Sequence, residues 1–320
     1  MHMPKRLLYV KADSFMGIMQ HIVTGGAGFI GSHLTDYLVN RGEETVIIDN
    51  LSTGRHLNKK AKFFKRDLRL STDIRLGRGS VIYHLAANPD VKSSAVDTVE
   101  HFRSDVLTTI NLMELARKHD ASKVIFSSSS VVYGESPIVP TPESAPLKPI
   151  SNYGIFKLFC EMIIEHYSEL YGIDYAILRF ANVTGGRSEH GIVHDFTLKL
   201  KKNPKRLEIL GDGRQSKSYI YYSDAVSALV HASKLNKNEC FNVGSSDTVS
   251  VKEIADIISH EAGLNPEYMY INKMNGRGWA GDVRKMLLSI KRARKLGWKP
   301  MYSSRKAIEL AAKDSLQNNY

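Results

Sequence analysis

The sequence predicts an α/β protein in which a doubly wound parallel sheet is followed by a smaller C-terminal α/β lobe. Short apolar runs recur along the N-terminal half, stretches with helical spacing lie between them, and a glycine-rich turn follows the first run. Strands that alternate with helices favour a parallel sheet, because each crossover helix returns the chain to the same end of the sheet. The predicted strands are 22–24, 45–48, 63–64, 81–84, 124–126 and 175–178, and the long predicted helices are 105–119 and 153–171.

The first predicted strand opens into the turn GGAGFIG at residues 25–31, after which apolar residues resume with helical spacing. Glycines at Gly25, Gly28 and Gly31 allow a sharp turn, a close approach of the backbone to phosphate groups, and tight packing of the helix on the strand. The free N–H groups at the helix start favour an anion. The turn is therefore predicted to bind a dinucleotide pyrophosphate, although alone it fits an ordinary glycine-rich loop about as well.

The second predicted strand ends in Asp49, about twenty residues after the turn, where an acidic side chain hydrogen-bonds the ribose hydroxyls of adenosine. A carboxylate at this position repels a 2′-phosphate, so it favours NAD over NADP. The nearby Arg55 leaves NADP as the alternative. The turn and Asp49 together predict a Rossmann-type NAD-binding domain.

Tyr153 and Lys157 stand four residues apart near the start of a predicted helix, so their side chains project from one face. A neighbouring ammonium and an oxidised nicotinamide both favour the phenolate, and we expect them to lower the pKa of Tyr153 so that it acts as a base. Lys157 can also hold the nicotinamide ribose. Serines 127–130 follow a predicted strand and offer a hydroxyl to the substrate oxygen. Tyr-x-x-x-Lys is common by chance, and its place after the nucleotide-binding strands is what favours a catalytic pair.

The alternation of strands and helices changes near residue 182. We expect 19–181 to form the NAD-binding domain, with strands from about 219–245 returning to it, and 182–320 to form mainly the substrate-binding lobe. Residues 1–18 lack the apolar core and cleavage site of a secretory signal, and we interpret them as a leader or added residues outside the fold. In the second lobe we predict helices over 193–202, from near Ser223 and over 304–316, strands over 219–221 and 240–243, and a capping box formed by Ser250 and Glu253.

The amino-acid composition limits the classes of function that the chain can have. The 320 residues suffice for about two domains, and 44 Lys+Arg against 33 Asp+Glu give a net charge of +11. These charges are dispersed, so they match a phosphorylated substrate better than a nucleic acid. Cys160 and Cys240 are interpreted as core residues in a reducing compartment, and no metal-ligand spacing is present. No apolar stretch is long enough to span a membrane, so the predicted location is the cytoplasm.

Several motifs in order resemble the extended short-chain dehydrogenase/reductase family. They are TGGAGFIGSHL at 24–34, DNLSTG at 49–54, HLAA at 84–87, SSS at 127–129 ahead of VYG at 132–134, and the Tyr153/Lys157 pair. Within that family the chain is most similar to the UDP-glucose 4-epimerases, from about residue 20 to near the C-terminus. The resemblance implies NAD as cofactor, a UDP-sugar as substrate, and reversible inversion at C4 of the hexose through a 4-keto intermediate.

The resemblance also assigns roles residue by residue. It implies Ser129 as the catalytic hydroxyl, Tyr153 as the base and Lys157 as its electrostatic partner. The implied cofactor contacts are Gly25, Gly28, Phe29, Ile30, Gly31, Asp49, Asn50, Ser52, Thr53, Gly54, Asp67, Leu68, Leu85, Ala86, Ala87, Tyr153 and Lys157. The implied substrate contacts are Ser129, Tyr153, Asn182, Lys217 and Arg277, with no metal.

Three positions depart from the family pattern. Asp105 occupies a place where many relatives carry a cofactor-contacting asparagine. Lys217 stands where an arginine is common. An arginine can bind a phosphate through two parallel hydrogen bonds, whereas a lysine offers a single point charge. Arg277 is displaced relative to the commonest spacing ahead of the Gly-Asp pair at 281–282.

Two other functions remain open from the sequence. A nucleotide-sugar 4,6-dehydratase or decarboxylase shares the fold, but dehydration requires a carboxyl pair beside the tyrosine, and the corresponding stretch is Ser129-Ser130-Val131. A dinucleotide-binding protein without catalysis is the other alternative. Relatives commonly pair through the helices predicted over 105–119 and 153–171, so we expect a homodimer. Glucose/galactose, N-acetyl and uronate forms of the UDP-sugar are not distinguished.

Overall fold

The computed structural model describes residues 19–70, 73–91, 93–272, 275–278 and 281–319, and the segment interpreted as a leader, residues 1–18, lies outside them. In chain order the strands are β1 (His21–Thr24), β2 (Thr45–Asp49), β3 (Lys62–Lys65), β4 (Val81–His84), β5 (Lys123–Ser129), β6 (Asp174–Phe180), β7 (Asn182–Thr184), β8 (Arg206–Leu210), β9 (Ser216–Lys217), β10 (Tyr219–Tyr221), β11 (Glu239–Val243), β12 (Val249–Ser250), β13 (Glu267–Ile271) and β14 (Lys285–Met286). The α-helices are α1 (Phe29–Asn40), α2 (Thr98–Phe102), α3 (Thr108–Lys118), α4 (Asn152–Tyr171), α5 (Ile192–Lys202), α6 (Tyr222–Ser233), α7 (Val251–Glu261), α8 (Lys291–Lys295) and α9 (Ser304–Asn319).

Within the described residues, seven strands form one sheet in the order β11-β6-β5-β4-β1-β2-β3, and every neighbouring pair is parallel. β1, β2 and β4 are buried along their full length. Strands buried in this way require helices on both faces of the sheet. The predicted α/β class with a doubly wound parallel sheet is confirmed.

An apolar core lies on each face of this sheet. Ile22 and Val23 are consecutive on β1, so their side chains point to opposite faces and belong to different clusters. On the Val23 face, α1 and α6 contribute Leu34 and Leu229. On the Ile22 face, α3 contributes Leu112 and α4 packs beside it. The crossover helices are thus held to the sheet by fully buried side chains.

The helix predicted over 105–119 begins earlier in the structure. α2 starts at Thr98, where Asp97 Oδ1 accepts the backbone N–H of Glu100 at 3.2 Å, and it continues through a π-helical turn, Arg103–Leu107, into α3. A π-helical turn contains an extra residue, so it shifts the phase of the apolar positions. The apolar pattern of the sequence therefore marks only the part of the helix that contains and follows this turn.

The second lobe is built on its own apolar cluster. α5, α7 and α9 contribute Phe196, Ile254 and Ile308, all buried. The predicted capping box starts α7: Ser250 Oγ accepts the N–H of Glu253 at 3.2 Å, and the Glu253 carboxylate accepts the N–H of Ser250 at 2.8 Å. β8 and β13 form a parallel pair that the sequence did not predict.

The large sheet is completed by elements from the C-terminal half of the chain. β11 is the edge strand beside β6, and α6 covers one face of the sheet. Trp298 packs into the same core, and its Nε1 donates to Ser227 Oγ at 2.9 Å. The shorter β10 pairs with β7 outside the large sheet.

Candidate active site

The glycine turn joins the end of β1 to the start of α1. Gly25 has φ +67°, and a Cβ there would lie 2.8 Å from the backbone nitrogen of Ala86. A Cβ at Gly31 would lie 2.1 Å from the carbonyl oxygen of Gly25, because the first turn of α1 packs directly on the loop. Among the described atoms, a Cβ at Gly28 would meet only that carbonyl, at 3.2 Å, so its outer side is open. No side chain caps α1 and no acidic residue lies in its first turn. This open turn with free N–H groups fits a pyrophosphate.

Asp49 and the segment after it pack against the glycine turn. Asp49 is almost fully buried, its Oδ2 accepts the N–H of Ala27 at 3.0 Å, and its Oδ1 accepts the N–H of Leu51 at 2.8 Å. Each carboxylate oxygen has a second lone pair, so the carboxylate can also accept ribose hydroxyls. A Cβ at Gly54 would lie 2.7 Å from the carbonyl carbon of Ala27. The structure thus brings the predicted cofactor residues of 49–54 to the glycine turn.

Two predicted cofactor-contacting residues, Asp67 and Leu68, follow β3. The Arg69 guanidinium hydrogen-bonds the Asp67 carboxylate and holds its pKa below the usual range. The Leu68 side chain is buried in the core, and its carbonyl accepts Asn111 Nδ2 at 2.8 Å. Asp67 therefore offers an ion-paired carboxylate to a cofactor. Leu68 offers only its backbone, because its side chain faces the interior.

Residues 85–87 after β4 border the glycine turn on its other side. Thr24 Oγ1 accepts the N–H groups of both Leu85 and Ala86 at 3.2 Å. Thr24 Oγ1 also lies 2.9 Å from Nδ1 of the buried His84. These bonds fix the ends of β1 and β4 against each other.

The serine hydroxyls at the end of β5 differ in whether they donate a hydrogen bond within the protein. Ser127 Oγ donates to the carbonyl of His84 at 3.3 Å, and the buried Ser128 donates to Glu161. Ser129 Oγ accepts the N–H of Val131 at 3.4 Å and donates its proton to no other described residue. Ser129 is therefore the hydroxyl in β5 that remains available to a ligand.

Tyr153 and Lys157 occupy the first turns of α4, whose start is fixed by Ser151 Oγ accepting the N–H of Gly154 at 3.2 Å. Lys157 is only 2% exposed. Its Nζ lies 5.6 Å from the centre of the Tyr153 ring and 4.9 Å from that of Phe126 on β5. The spacing of four residues thus brings the phenol and the ammonium together beside the carboxyl end of the sheet.

Burial raises the pKa of Tyr153, and the charge of Lys157 opposes this rise without cancelling it. The lowering expected from the sequence is therefore not present in the protein alone. For Lys157, burial acts to lower the pKa, but the acidic side chains around it, Tyr153 first among them, together raise it above its usual range. The ammonium therefore stays charged inside the protein.

A contact that the sequence analysis missed anchors the start of α4. The buried Ser94 accepts the backbone N–H of Tyr153 through Oγ at 3.3 Å, and its carbonyl accepts Asn152 Nδ2 at 2.9 Å. Ser94 thereby fixes the backbone that carries the phenol. No sequence signal marks it, because a single serine in a loop resembles any other.

The predicted residues of the second lobe lie near the same edge of the sheet. Asn182 is the first residue of β7, two residues after the end of β6, and its Nδ2 donates to the carbonyl of Ser218 at 3.1 Å. Lys217 Nζ lies 2.5 Å from Asp282 Oδ1, and Arg277 donates to the carbonyl of Asp282 at 3.3 Å. Lys217 and Arg277 are therefore brought together at one aspartate. Residues 279–280 of the same motif lie outside the described part of the chain.

Arg277 also bridges the two lobes. Its Nη2 lies 2.8 Å from a carboxylate oxygen of Glu135, which follows the serine run of β5. Both cations predicted to hold a diphosphate are thus paired with carboxylates in the protein alone.

The open glycine turn, the carboxylate at the end of β2 and the Tyr153/Lys157 pair define a class of protein, the extended short-chain dehydrogenases/reductases. The family model described as the NAD dependent epimerase/dehydratase family matches residues 21–244. The chain belongs to that family, and NAD is its cofactor. The family resemblance found in the sequence is confirmed.

Similar proteins span nearly the whole chain. A putative UDP-glucose 4-epimerase of Methanocaldococcus jannaschii is 40% identical over 309 residues, which cover 93% of this chain and 99% of that protein. The solved structure of a UDP-galactose 4-epimerase is 40% identical with a TM-score of 0.85, covering 94% of this chain and all of the other. The Thermotoga maritima UDP-glucose 4-epimerase with UDP-glucose is 32% identical with a TM-score of 0.84, over 94% of this chain and 100% of that one.

Proposed function

We propose that this chain is a UDP-glucose 4-epimerase, which reversibly inverts C4 of a UDP-hexose. The observation that carries the proposal is the pairing of the half-buried Tyr153 with the buried Lys157, next to a sheet edge where Ser129 keeps a free hydroxyl proton. A phenol, an ammonium and a hydroxyl are the groups needed to remove a proton from a secondary alcohol. The similarity to 4-epimerases along 93% of the chain supports the same reaction.

In the proposed mechanism, Lys157 stabilises the phenolate form of Tyr153, and this phenolate takes the proton of the sugar 4-hydroxyl. Ser129 donates a hydrogen bond to the sugar O4 and orients it toward the phenol. Bound NAD supplies the hydride acceptor and later the hydride donor. The 4-keto sugar rotates in the site while its diphosphate stays held by the second lobe. Tyr153 returns the proton to O4 as C4 is reduced on the opposite face of the sugar. No net redox change results.

We assign the ligand contacts as the sequence predicts them. The glycine turn would hold the pyrophosphate, and Asp49 with 50–54 would hold the adenosine ribose. Residues 67–68 and 85–87 would flank the cofactor. Asn182 would contact the sugar nucleotide, and Lys217 and Arg277 would hold its diphosphate, with the two cations leaving their carboxylate partners. On this proposal 19–181, with β11 returned to the sheet, is the NAD-binding domain, and 182–320 mainly binds substrate.

Dehydration is disfavoured by the residues after β5. Ser129 is followed by Ser130 and Val131 in a short 3₁₀ turn, so this segment presents no carboxyl group beside the phenol. A protein that only binds the dinucleotide would have no use for a buried ammonium beside a phenol. We therefore prefer epimerisation to both alternatives.

The proposal is tested by incubating the purified chain with UDP-glucose, UDP-galactose, and the N-acetyl and uronate forms, and following the C4 epimers by NMR. Equilibration of at least one pair without added NAD is expected, because the cofactor remains bound. A 4-keto-6-deoxy product instead would identify a dehydratase. If the purified chain contains NAD but forms no product, it is a dinucleotide-binding protein without catalysis.

We further propose a homodimer formed by the outer faces of α3 and α4. A groove on this face is lined by Val106, Phe159, Met162 and Ile163, and Phe159 and Met162 are 44% and 58% exposed. Apolar side chains exposed together on one helical face are typical of a protein interface.

None of the described helices is long and apolar enough to cross a bilayer. We propose the cytoplasm as the location of the protein and galactose metabolism as its role.

The substitution Met162→Arg should convert the dimer into monomers, because two charges would be buried against the partner's apolar face. Light scattering after size exclusion should then give a mass near 35.9 kDa instead of twice that value. Met301→Arg is the matched control, since Met301 is 76% exposed outside this face. A wild-type monomer, or a dimeric Met162→Arg variant, would contradict the proposed interface.

A further inference from the structure

His84 ends β4, directly before the segment 85–87, and its imidazole ring is buried. Its Nδ1 lies 2.9 Å from Thr24 Oγ1 at the end of β1, and its Nε2 lies 3.0 Å from Thr109 Oγ1 on α3. Both threonines are fully buried as well. The ring therefore links the strand that leads into the glycine turn to a helix on one face of the sheet, away from solvent.

The hydroxyl of Thr24 determines the protonation of Nδ1. A threonine hydroxyl has one proton and two lone pairs. Thr24 Oγ1 accepts the N–H of Ala86 at 3.2 Å and that of Leu85 at 3.2 Å, the latter shared with the Thr24 carbonyl. A proton on His84 Nδ1 would be a third donor to this oxygen, and it would leave the buried hydroxyl proton without an acceptor among the described residues, which is costly. Nδ1 is therefore the acceptor, and it carries no proton.

Thr109 indicates the same form of the ring at the other nitrogen. Its hydroxyl donates to the backbone carbonyl of Asp105 at 2.7 Å, one turn earlier in the helix, and it also lies 3.1 Å from Cys160 Sγ on α4. Because its single proton is used in the short bond to the carbonyl, Thr109 Oγ1 is an acceptor toward His84. Nε2 therefore carries the proton of the imidazole and donates it to Thr109.

The surroundings of His84 favour a neutral ring. Burial lowers the pKa of His84 to about 3, and the positive charge of Lys157 on α4 acts in the same direction. Cys160, on the same helix, is neutral because burial raises the pKa of its thiol to about 12. The ring of Phe126 on β5 packs beside the imidazole, with 5.5 Å between the ring centres. A neutral ring with its proton on Nε2 is thus the form that satisfies both threonines.

We propose that His84, as the neutral Nε2–H tautomer, is a positioning residue for the cofactor. By accepting the hydroxyl proton of Thr24, it leaves the lone pairs of that oxygen to hold the N–H groups of 85 and 86. This backbone lies against the glycine turn, where a Cβ at Gly25 would come within 2.8 Å of the Ala86 nitrogen. The inference rests on the proposed function, because it takes 85–87 as residues that flank NAD. His84 thus acts on the NAD site through the backbone that follows it.

The tautomer is read by NMR from the ¹⁵N shifts of the imidazole nitrogens in NAD-bound protein labelled at histidine. We expect an unprotonated Nδ1 and a protonated Nε2 at His84, unchanged from about pH 7 to about pH 5, where an ordinary histidine becomes charged. The signals are assigned by their absence from His84→Gln, or by their shift in Thr24→Ser should the first variant not fold. A protonated Nδ1 in this pH range overturns the inference.

The effect on the cofactor is tested with Thr24→Val, which removes the hydroxyl and keeps the side-chain shape. NAD should leave the holoenzyme about tenfold faster, because the N–H of Ala86 loses its acceptor, and the His84 ring should lose its preference for one tautomer. Release is followed by displacement with a fluorescent NAD analogue. Thr24→Ser keeps the hydroxyl and should restore both properties. Thr197→Val is the matched control, since Thr197 is also fully buried and its hydroxyl donates to the Val193 carbonyl at 2.9 Å within α5.

Unchanged NAD release in Thr24→Val, or equal acceleration in Thr197→Val, overturns the inference and leaves the proposed epimerisation in place. Fast release that persists in Thr24→Ser also overturns it, because the hydroxyl would then not be what matters. If the wild-type chain shows the expected tautomer and Thr24→Val the expected release, but no C4 epimer forms, the inference is supported and the proposed reaction is wrong. The wild-type tautomer provides the decisive measurement should Thr24→Val not fold.

Discussion

Replacing Tyr153 with phenylalanine is expected to lower turnover on a UDP-hexose by about 10²- to 10⁴-fold, the range typical of losing a general base. Phenylalanine preserves the ring and its contact with Lys157 but removes the group that accepts the 4-hydroxyl proton. Binding of NAD should persist, because the glycine turn and the end of β2 are untouched. The measurement is kcat by NMR together with the NAD content of the purified protein.

Tyr37→Phe is the control for this experiment, since Tyr37 lies partly exposed on α1, away from the candidate site. It should turn over like the wild type. Near-normal turnover of Tyr153→Phe would show that another group removes the proton, and loss of NAD from that variant would mean that the effect is on binding.

Replacing Glu161 with leucine is expected to lower the free energy of unfolding by about 3–5 kcal/mol. The Glu161 and Arg179 side chains are 2% and 7% exposed, so the substitution leaves a guanidinium buried without its carboxylate. The hydrogen bonds of Arg179 to the Tyr133 hydroxyl at 3.0 Å and to the Glu143 carbonyl at 3.5 Å do not neutralise its charge. Urea denaturation followed by circular dichroism measures the change.

Removing an exposed ion pair provides the comparison. Asp256→Ala breaks the pair of Lys252 and Asp256 on the surface of α7, and it should change stability by no more than about 0.5 kcal/mol. The double variant Glu161→Leu/Arg179→Met should recover much of the loss, because both charges leave the core together. Equal losses for Glu161→Leu and Asp256→Ala would show that the buried pair does not hold β6 to α4.

Local chemistry made much of this molecule predictable. The strand, glycine turn and helix at the N-terminus follow from a short apolar run and from glycine positions that the fold requires for close packing at Gly25 and Gly31. The spacing of Tyr153 and Lys157 places them on one helix face whatever the rest of the chain does. The capping box at Ser250 is likewise a local signal. These predictions depend on residues only a few positions apart.

The rest depends on partners that are distant in sequence. The strand β8 alternates buried and exposed residues, but its partner β13 lies about sixty residues later and carries no matching pattern. The pairing of Arg277 with Glu135 joins two lobes, and nothing near either residue indicates it. Asp105 lies buried in the π-helical turn, which shifts the phase of the apolar positions, so the regular helical spacing of the sequence does not indicate its burial.

The nucleotide-binding sheet is complete only after β11, Glu239–Val243, has been synthesised. When the nascent chain has emerged only as far as residue 181, one edge of β6 is unpaired. One face of the sheet also lacks α6 and Trp298, which cover it in the complete fold. Such a nascent chain exposes a row of backbone N–H and C=O groups beside an uncovered apolar surface, which is a template for aggregation. We therefore expect fragments that end before β11 to be insoluble when produced alone, and chaperones to be engaged until α6 and β11 have emerged.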